Sequence, residues 1–166
     1  GGRTFVDVTE SLGLGDDLWS TSAGWGDIDG DGWPDLYICN YLDWSFMNNP
    51  HCAGLRIGIP RDVCPPQRFK PQKHYLFRNE RGKGFTNLAD TFQFKAAGCG
   101  LGVVLVDLNG DGRPDIYVAN DASNNFLYMN RNGKLEEIGL HAGVAVGEDG
   151  HYNGSMGVDA ADFDGT

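Results

Sequence analysis

Residues Asp27-Ile28-Asp29-Gly30-Asp31-Gly32-Trp33-Pro34-Asp35-Leu36-Tyr37-Ile38-Cys39-Asn40 return almost unchanged as Asp107-Leu108-Asn109-Gly110-Asp111-Gly112-Arg113-Pro114-Asp115-Ile116-Tyr117-Val118-Ala119-Asn120. A third copy opens with Asp162-Phe163-Asp164-Gly165-Thr166. A second element repeats out of phase with the first: Leu76 to Leu88 matches Leu127 to Ile138, and the opening Phe5-Val6-Asp7-Val8 matches its tail. Self-similarity of this kind marks a repeat architecture, in which each copy is one supersecondary unit.

One unit reads as four short strands. An apolar stretch, Leu101 to Val106, enters the acidic loop and a second, Ile116 to Ala119, leaves it. Phe126 to Asn130 and Leu135 to Ile138 then form a hairpin across Asn132-Gly133, the pair that a type I′ turn requires. Four antiparallel strands repeating at about 50 residues describe a β-propeller blade. No stretch carries the 3.6-residue periodicity of a long helix. The expected fold is therefore all-β, a partial propeller of two complete blades with a leading outer strand and a trailing inner strand.

The boundaries follow from the repeat. One propeller segment fills 1–166, with an outer strand in 1–10, a blade over 20–89, a second over 98–140 and the start of another over 155–166. The first blade carries an insert, 41–73, between its second and third strands. Five prolines and two cysteines mark that insert as an ordered excursion rather than strand. Propellers close with four to eight blades, so closure needs further blades from a longer polypeptide or from neighbouring copies.

Each acidic loop sets oxygen-bearing side chains at positions 1, 3, 5 and 9. These are Asp27, Asp29, Asp31 and Asp35, then Asp107, Asn109, Asp111 and Asp115. Glycine at position 6 permits the sharp turn, and the backbone carbonyl at position 7 (Trp33, Arg113) would face the same centre, as in calcium loops. Asp162, Asp164 and Thr166 begin the same set in the third copy. Hard oxygen donors in this number suit Ca²⁺ rather than the tighter octahedron of Mg²⁺. The absence of histidine and cysteine from the loops argues against transition metals. These are not EF-hands, because position 12 is Ile38 or Val118 and position 8 is proline.

Acidic residues outnumber basic ones 23 to 13, for a net charge of −10. That balance excludes a nucleic-acid binder, which needs a basic face. No apolar run approaches the roughly 18 residues of a membrane span. Cys52 and Cys64 close a short loop in the insert and are expected to be bonded, with free thiols or zinc as the alternatives; a Cys39–Cys99 bridge is also open. The four histidines share no ligand spacing and read as surface or loop residues. Trp25 is expected between blades and Trp33 over its loop; a sugar-stacking surface of Trp19, Trp25, Trp33 and Trp44 is the alternative. No nucleophile motif appears, and Gly24-Trp25-Gly26 precedes an acidic loop rather than a helix, so it is no phosphate cradle.

The Gly-x-Gly entry, the acidic loop and the following Pro-Asp-Leu/Ile-Tyr together resemble the FG-GAP (VCBS) repeats of integrin α-subunit-type propellers. Leu101 to Asn130, Gly143 to Thr166, the Phe5-to-Leu14 opening and the Cys52…Cys64-Pro65 insert are most similar to the bacterial cartilage acidic protein-like family. That resemblance implies a secreted, calcium-binding, seven-bladed propeller with mainly adhesive or unassigned roles. The expected function is thus a non-catalytic extracellular, periplasmic or cell-surface scaffold. Its partners would be calcium and an extracellular protein or glycan, or copies of itself in a filament, tube or layer. A fragment of a propeller enzyme with its active site elsewhere is the remaining alternative.

Overall fold

β-Branched and aromatic residues crowd the segments that leave the acidic loops, and each segment becomes the second strand of a sheet. The computed structural model describes residues 2, 4–54, 57–91 and 97–165. Among them β1 (Ser20–Gly26), β2 (Asp35–Asn40), β3 (Tyr75–Asn79) and β4 (Phe85–Asn87) form one four-stranded sheet in that order. β5 (Gly100–Val106), β6 (Asp115–Asn120), β7 (Phe126–Arg131) and β8 (Lys134–Glu137) form the other. All neighbours are antiparallel. Asn132 and Gly133 both have positive φ, 57° and 78°, as a type I′ turn demands. The chain is thus a partial propeller of two blades.

The blades meet through β1 and β5, and the meeting explains the Gly-x-Gly of β1. A Cβ on Gly24 would collide with Leu105 Cδ1, and one on Gly26 would lie 2.9 Å from Leu105 Cδ2. The missing side chains let Val103 and Leu105 seat against the first blade. The core between the sheets is Ile28, Tyr37, Cys39, Leu76, Ile116, Val118 and Tyr128. Each large apolar side chain buried there contributes about 1.5–3 kcal/mol. Polar links stitch the same seam: Thr21 Oγ1 donates to Gly100 O at 2.7 Å, Asn130 Nδ2 to Ile28 O at 2.8 Å and Tyr41 Oη to Asp121 Oδ2 at 2.6 Å.

Several expectations need correction. Phe5–Val8 and Met156–Ala161 join neither sheet, because a strand exists only as a paired ladder and neither has a partner strand among the described residues. The first leads into a turn that receives the Phe85 N–H on Leu12 O at 2.8 Å. The second crosses β5, where a Cβ on Gly102 would lie 2.6 Å from Met156 O. Cys39 and Cys99 are free buried thiols. Gly100 abuts Cys39, and alternation along the extended chain turns the adjacent Cys99 the other way, where its thiol hydrogen-bonds Ser123. Alternation also turns Trp25 away from the blade interface. It remains 55% exposed and meets Phe85 edge-on, with ring centroids 5.9 Å apart. His74 is no surface histidine: it is 4% exposed, and its Nδ1 lies 2.9 Å from Tyr37 Oη.

The insert holds itself by local pairing. Leu42 bridges Pro71, Cys52 bridges Asp62, and a 3₁₀ turn forms at Pro66–Arg68. Cys52 and Cys64 form a disulfide with a Cα–Cα separation of 5.3 Å.

Candidate metal centre

Both acidic loops join the innermost strand of a blade to the second, so β1–β2 and β5–β6 fix their ends. Within each, the first aspartate organises the backbone. Asp27 accepts N–H bonds from Gly30, Asp31 and Gly32 at 2.8–3.0 Å. Asp107 repeats this with Gly110, Asp111 and Gly112 at 2.7–3.2 Å. The glycines at positions 4 and 6 take φ of 74–89° in both loops, a region that costs other residues strain. The bond from Gly112, foremost among four, holds the Asp107 carboxyl below its ordinary range.

The ninth position has a second task that the pattern alone does not reveal. Asp35 is 2% exposed and Asp115 is fully buried. Asp35 accepts the Ile28 N–H at 2.9 Å and the Asn79 N–H at 2.8 Å. Asp115 accepts Leu108 N–H at 3.0 Å and Asn130 N–H at 2.7 Å. Each aspartate therefore pins its loop to the third strand of its blade. The asparagines complete the pin: Asn79 and Asn130 donate Nδ2 to the Pro34 and Pro114 carbonyls and accept the Gly82 and Gly133 N–H groups. The repeated Asn-x-x-Gly of both hairpins was the sequence signal for this role.

In the first loop the carboxylates of Asp27, Asp29 and Asp35 converge, each offering an oxygen within 4.8 Å of the others. Burial pushes the Asp35 carboxyl above its usual range; the Asn79 and Ile28 bonds oppose this, and the charges of Asp29 and Asp27 add to it. Asp31 instead pairs with the neighbouring hairpin, its Oδ2 3.3 Å from Arg81 Nε, while its Oδ1 accepts the Trp33 N–H. Trp33 reaches the neighbouring hairpin at Gly82, 3.0 Å from where a Cβ would stand. An all-oxygen set of mutually repelling carboxylates, with acceptor capacity beyond the bonds already made, fits a hard divalent cation.

The second loop has the same fold and a different charge. Asn109 stands at position 3, where the first loop has Asp29, so this loop carries one carboxylate fewer. Asp111 Oδ2 is held by Asn109 Nδ2 at 3.3 Å and by Arg113 at 3.5 Å. In the third copy Asp162 Oδ1 accepts the Asp164 and Gly165 N–H groups at 3.3 and 2.7 Å, the same first turn; Thr166 lies outside the described residues.

A family model described as an FG-GAP-like repeat matches residues 70–118 and 107–166, together more than half of the chain. Among curated proteins none matches the chain.

Proposed function

The chain belongs to the FG-GAP-like repeat family, and from that premise we propose that it is a calcium-stabilised, non-catalytic propeller segment of an extracellular or cell-surface protein. Its role is that of a scaffold or adhesion module, similar in kind to the bacterial cartilage acidic protein-like propellers. The observation that carries this reading is the convergence of Asp27, Asp29 and Asp35 within 4.8 Å. Three like charges so close favour folding only when a cation offsets them.

In the first loop Asp27, Asp29 and Asp35 hold the ion, and Asp31 joins when it leaves Arg81. Asp107, Asn109, Asp111 and Asp115 serve the second loop, and Asp162 and Asp164 begin the third. The bound ion supplies charge neutralisation at the root of each blade; the protein's residues fix the turn and tie it to β3 and β7. The Cys52–Cys64 disulfide supports an oxidising compartment. No helix among the described residues is long and apolar enough to cross a membrane.

Thermal melting with millimolar calcium and with excess chelator tests the reading. For sites of about 10⁻⁴ M, calcium adds about 1.4 kcal/mol per loop, a rise of about 3–6 °C for each. Identical melting curves in both conditions would refute it.

A further inference from the structure

The insert builds a second feature at the opposite end of the first blade. Trp19 and Tyr41 flank the Ser20–Asn40 end of the β1–β2 hairpin, whereas the acidic loop sits at its Gly26–Asp35 end. Six strand residues separate the two, roughly 20 Å at the usual rise. Here the chain encloses a groove of about 690 Å³, within the range of about 300–1,000 Å³ that holds small ligands.

Its walls are aromatic and its rim is polar. Trp19 lies 5.3 Å from Tyr41 at 82° and 5.5 Å from Trp44 at 56° between ring planes. Leu42 and Phe69 line the groove beside these rings. Trp19 lines the groove and keeps 44% of its surface exposed. Asn49, Arg61 and Asp62 also line it, all three exposed. Asp62 Oδ1 is engaged by the Val63 N–H at 2.8 Å, which leaves Oδ2 toward solvent chemistry.

We propose that this groove binds an uncharged glycan, with a pyranose ring laid on Trp19 or Trp44 and its hydroxyls met by Asn49, Arg61 and Asp62. A pyranose carries an apolar C–H face and a polar edge in one rigid unit, and the groove offers one counterpart to each. The three rim groups present planar donors and acceptors together. Their charges cancel locally: Arg61 opposes a cationic ligand, and Asp62 on a chain of net charge −10 opposes an acidic one. The site is also preformed. Cys64 lines it and is bonded to Cys52. Asp43 ties the wall to Lys70 through bonds of 2.8 and 2.9 Å, and Tyr41 is anchored on Asp121. Rigidity of this kind lowers the ordering cost of binding.

The glycan site rests on the adhesive reading only for its setting, and its test is separate from the calcium test. Cellobiose, lactose, maltose and N,N′-diacetylchitobiose are titrated into the calcium-equilibrated chain by saturation-transfer NMR and tryptophan fluorescence, beside sialyllactose and tetramethylammonium. At least one neutral disaccharide is expected to bind and to shift tryptophan emission. Trp44→Ala and the exposed-site Asn49→Ala are each expected to weaken it about tenfold or more; the second variant keeps the test sound if the first fails to fold. Sialyllactose is expected to bind no better than lactose, and tetramethylammonium not at all. No binding by any neutral disaccharide, binding that Asn49→Ala leaves unchanged, or preference for the charged probes would overturn the assignment. Loss of the calcium effect on melting would leave it standing.

Discussion

The two blades share one frame and part company at three places. In both, an aspartate at position 1 folds the loop, a buried aspartate at position 9 pins it, and an asparagine from the third strand completes the pin. They differ at position 3, where Asp29 faces Asn109. They differ beside the third strand, where register sets buried His74 against buried Asn125. They differ between the second and third strands, where 41–74 corresponds to a connection of only five residues, 121–125. The shared parts are those that make a blade. The divergent parts bear an extra carboxylate, a buried imidazole and an aromatic groove, so the differences between the blades lie in side chains and an insert carried on a common frame.

Breaking the shared pin should have the largest effect. Asp115→Ala strands the buried Asn130 N–H and frees the partly buried Leu108 N–H, a loss of about 1–3 kcal/mol from the first and less from the second, read in chemical denaturation. Asp35→Ala should match it if the pins are equivalent. A much smaller loss at Asp35 would mean that repulsion among the clustered carboxylates, relieved by the substitution, offsets the lost pin in the first loop.

Acidification should separate the blades next. Burial pushes His74 down to about 4, with the Gly98 and Asn40 backbone offsetting part of the effect. Its unfolded value is about 6.5. Between these values the unfolded chain binds the extra proton, so stability is complete above about pH 6.5 and falls as pH drops toward 4. The loss is about 3 kcal/mol by linkage. His74→Asn, which copies the second blade, should flatten that segment of the stability–pH profile; an unchanged profile would place the acid sensitivity elsewhere.

The blade seam is a smaller but sharper target. Gly24→Ala drives a methyl into Leu105 and should cost about 1–3 kcal/mol, read as a lower melting temperature. At Gly30, where a Cβ would meet nothing within 4 Å, alanine should cost only the strain of φ 76°, about 1 kcal/mol.

Sequence made the repeating frame legible because its chemistry is local. Carboxylates two residues apart, Asn132-Gly133 and a pair of cysteines twelve residues apart each report on their own neighbourhood. Residues whose meaning depends on facing were harder. Whether Trp25 or Gly24 points at the next blade, and whether Cys99 meets Cys39, turns on alternation and the register shifts near Ser20–Ser22 and Gly100–Gly102. The buried state of His74 needs the second blade's Phe126 beside it, with centroids 5.9 Å apart. The meeting of Trp19 with Trp44 depends on the path of the insert, which no periodicity encodes.

The most direct test of the calcium reading is a charge swap at position 3, followed by isothermal titration with Ca²⁺. The native chain should show its tighter site in the first loop. Asp29→Asn should weaken that site about tenfold and Asn109→Asp should tighten the second by a similar factor, following ligand charge. Heats of calcium binding that are absent from the native chain, or present and unmoved by both substitutions, would contradict the account.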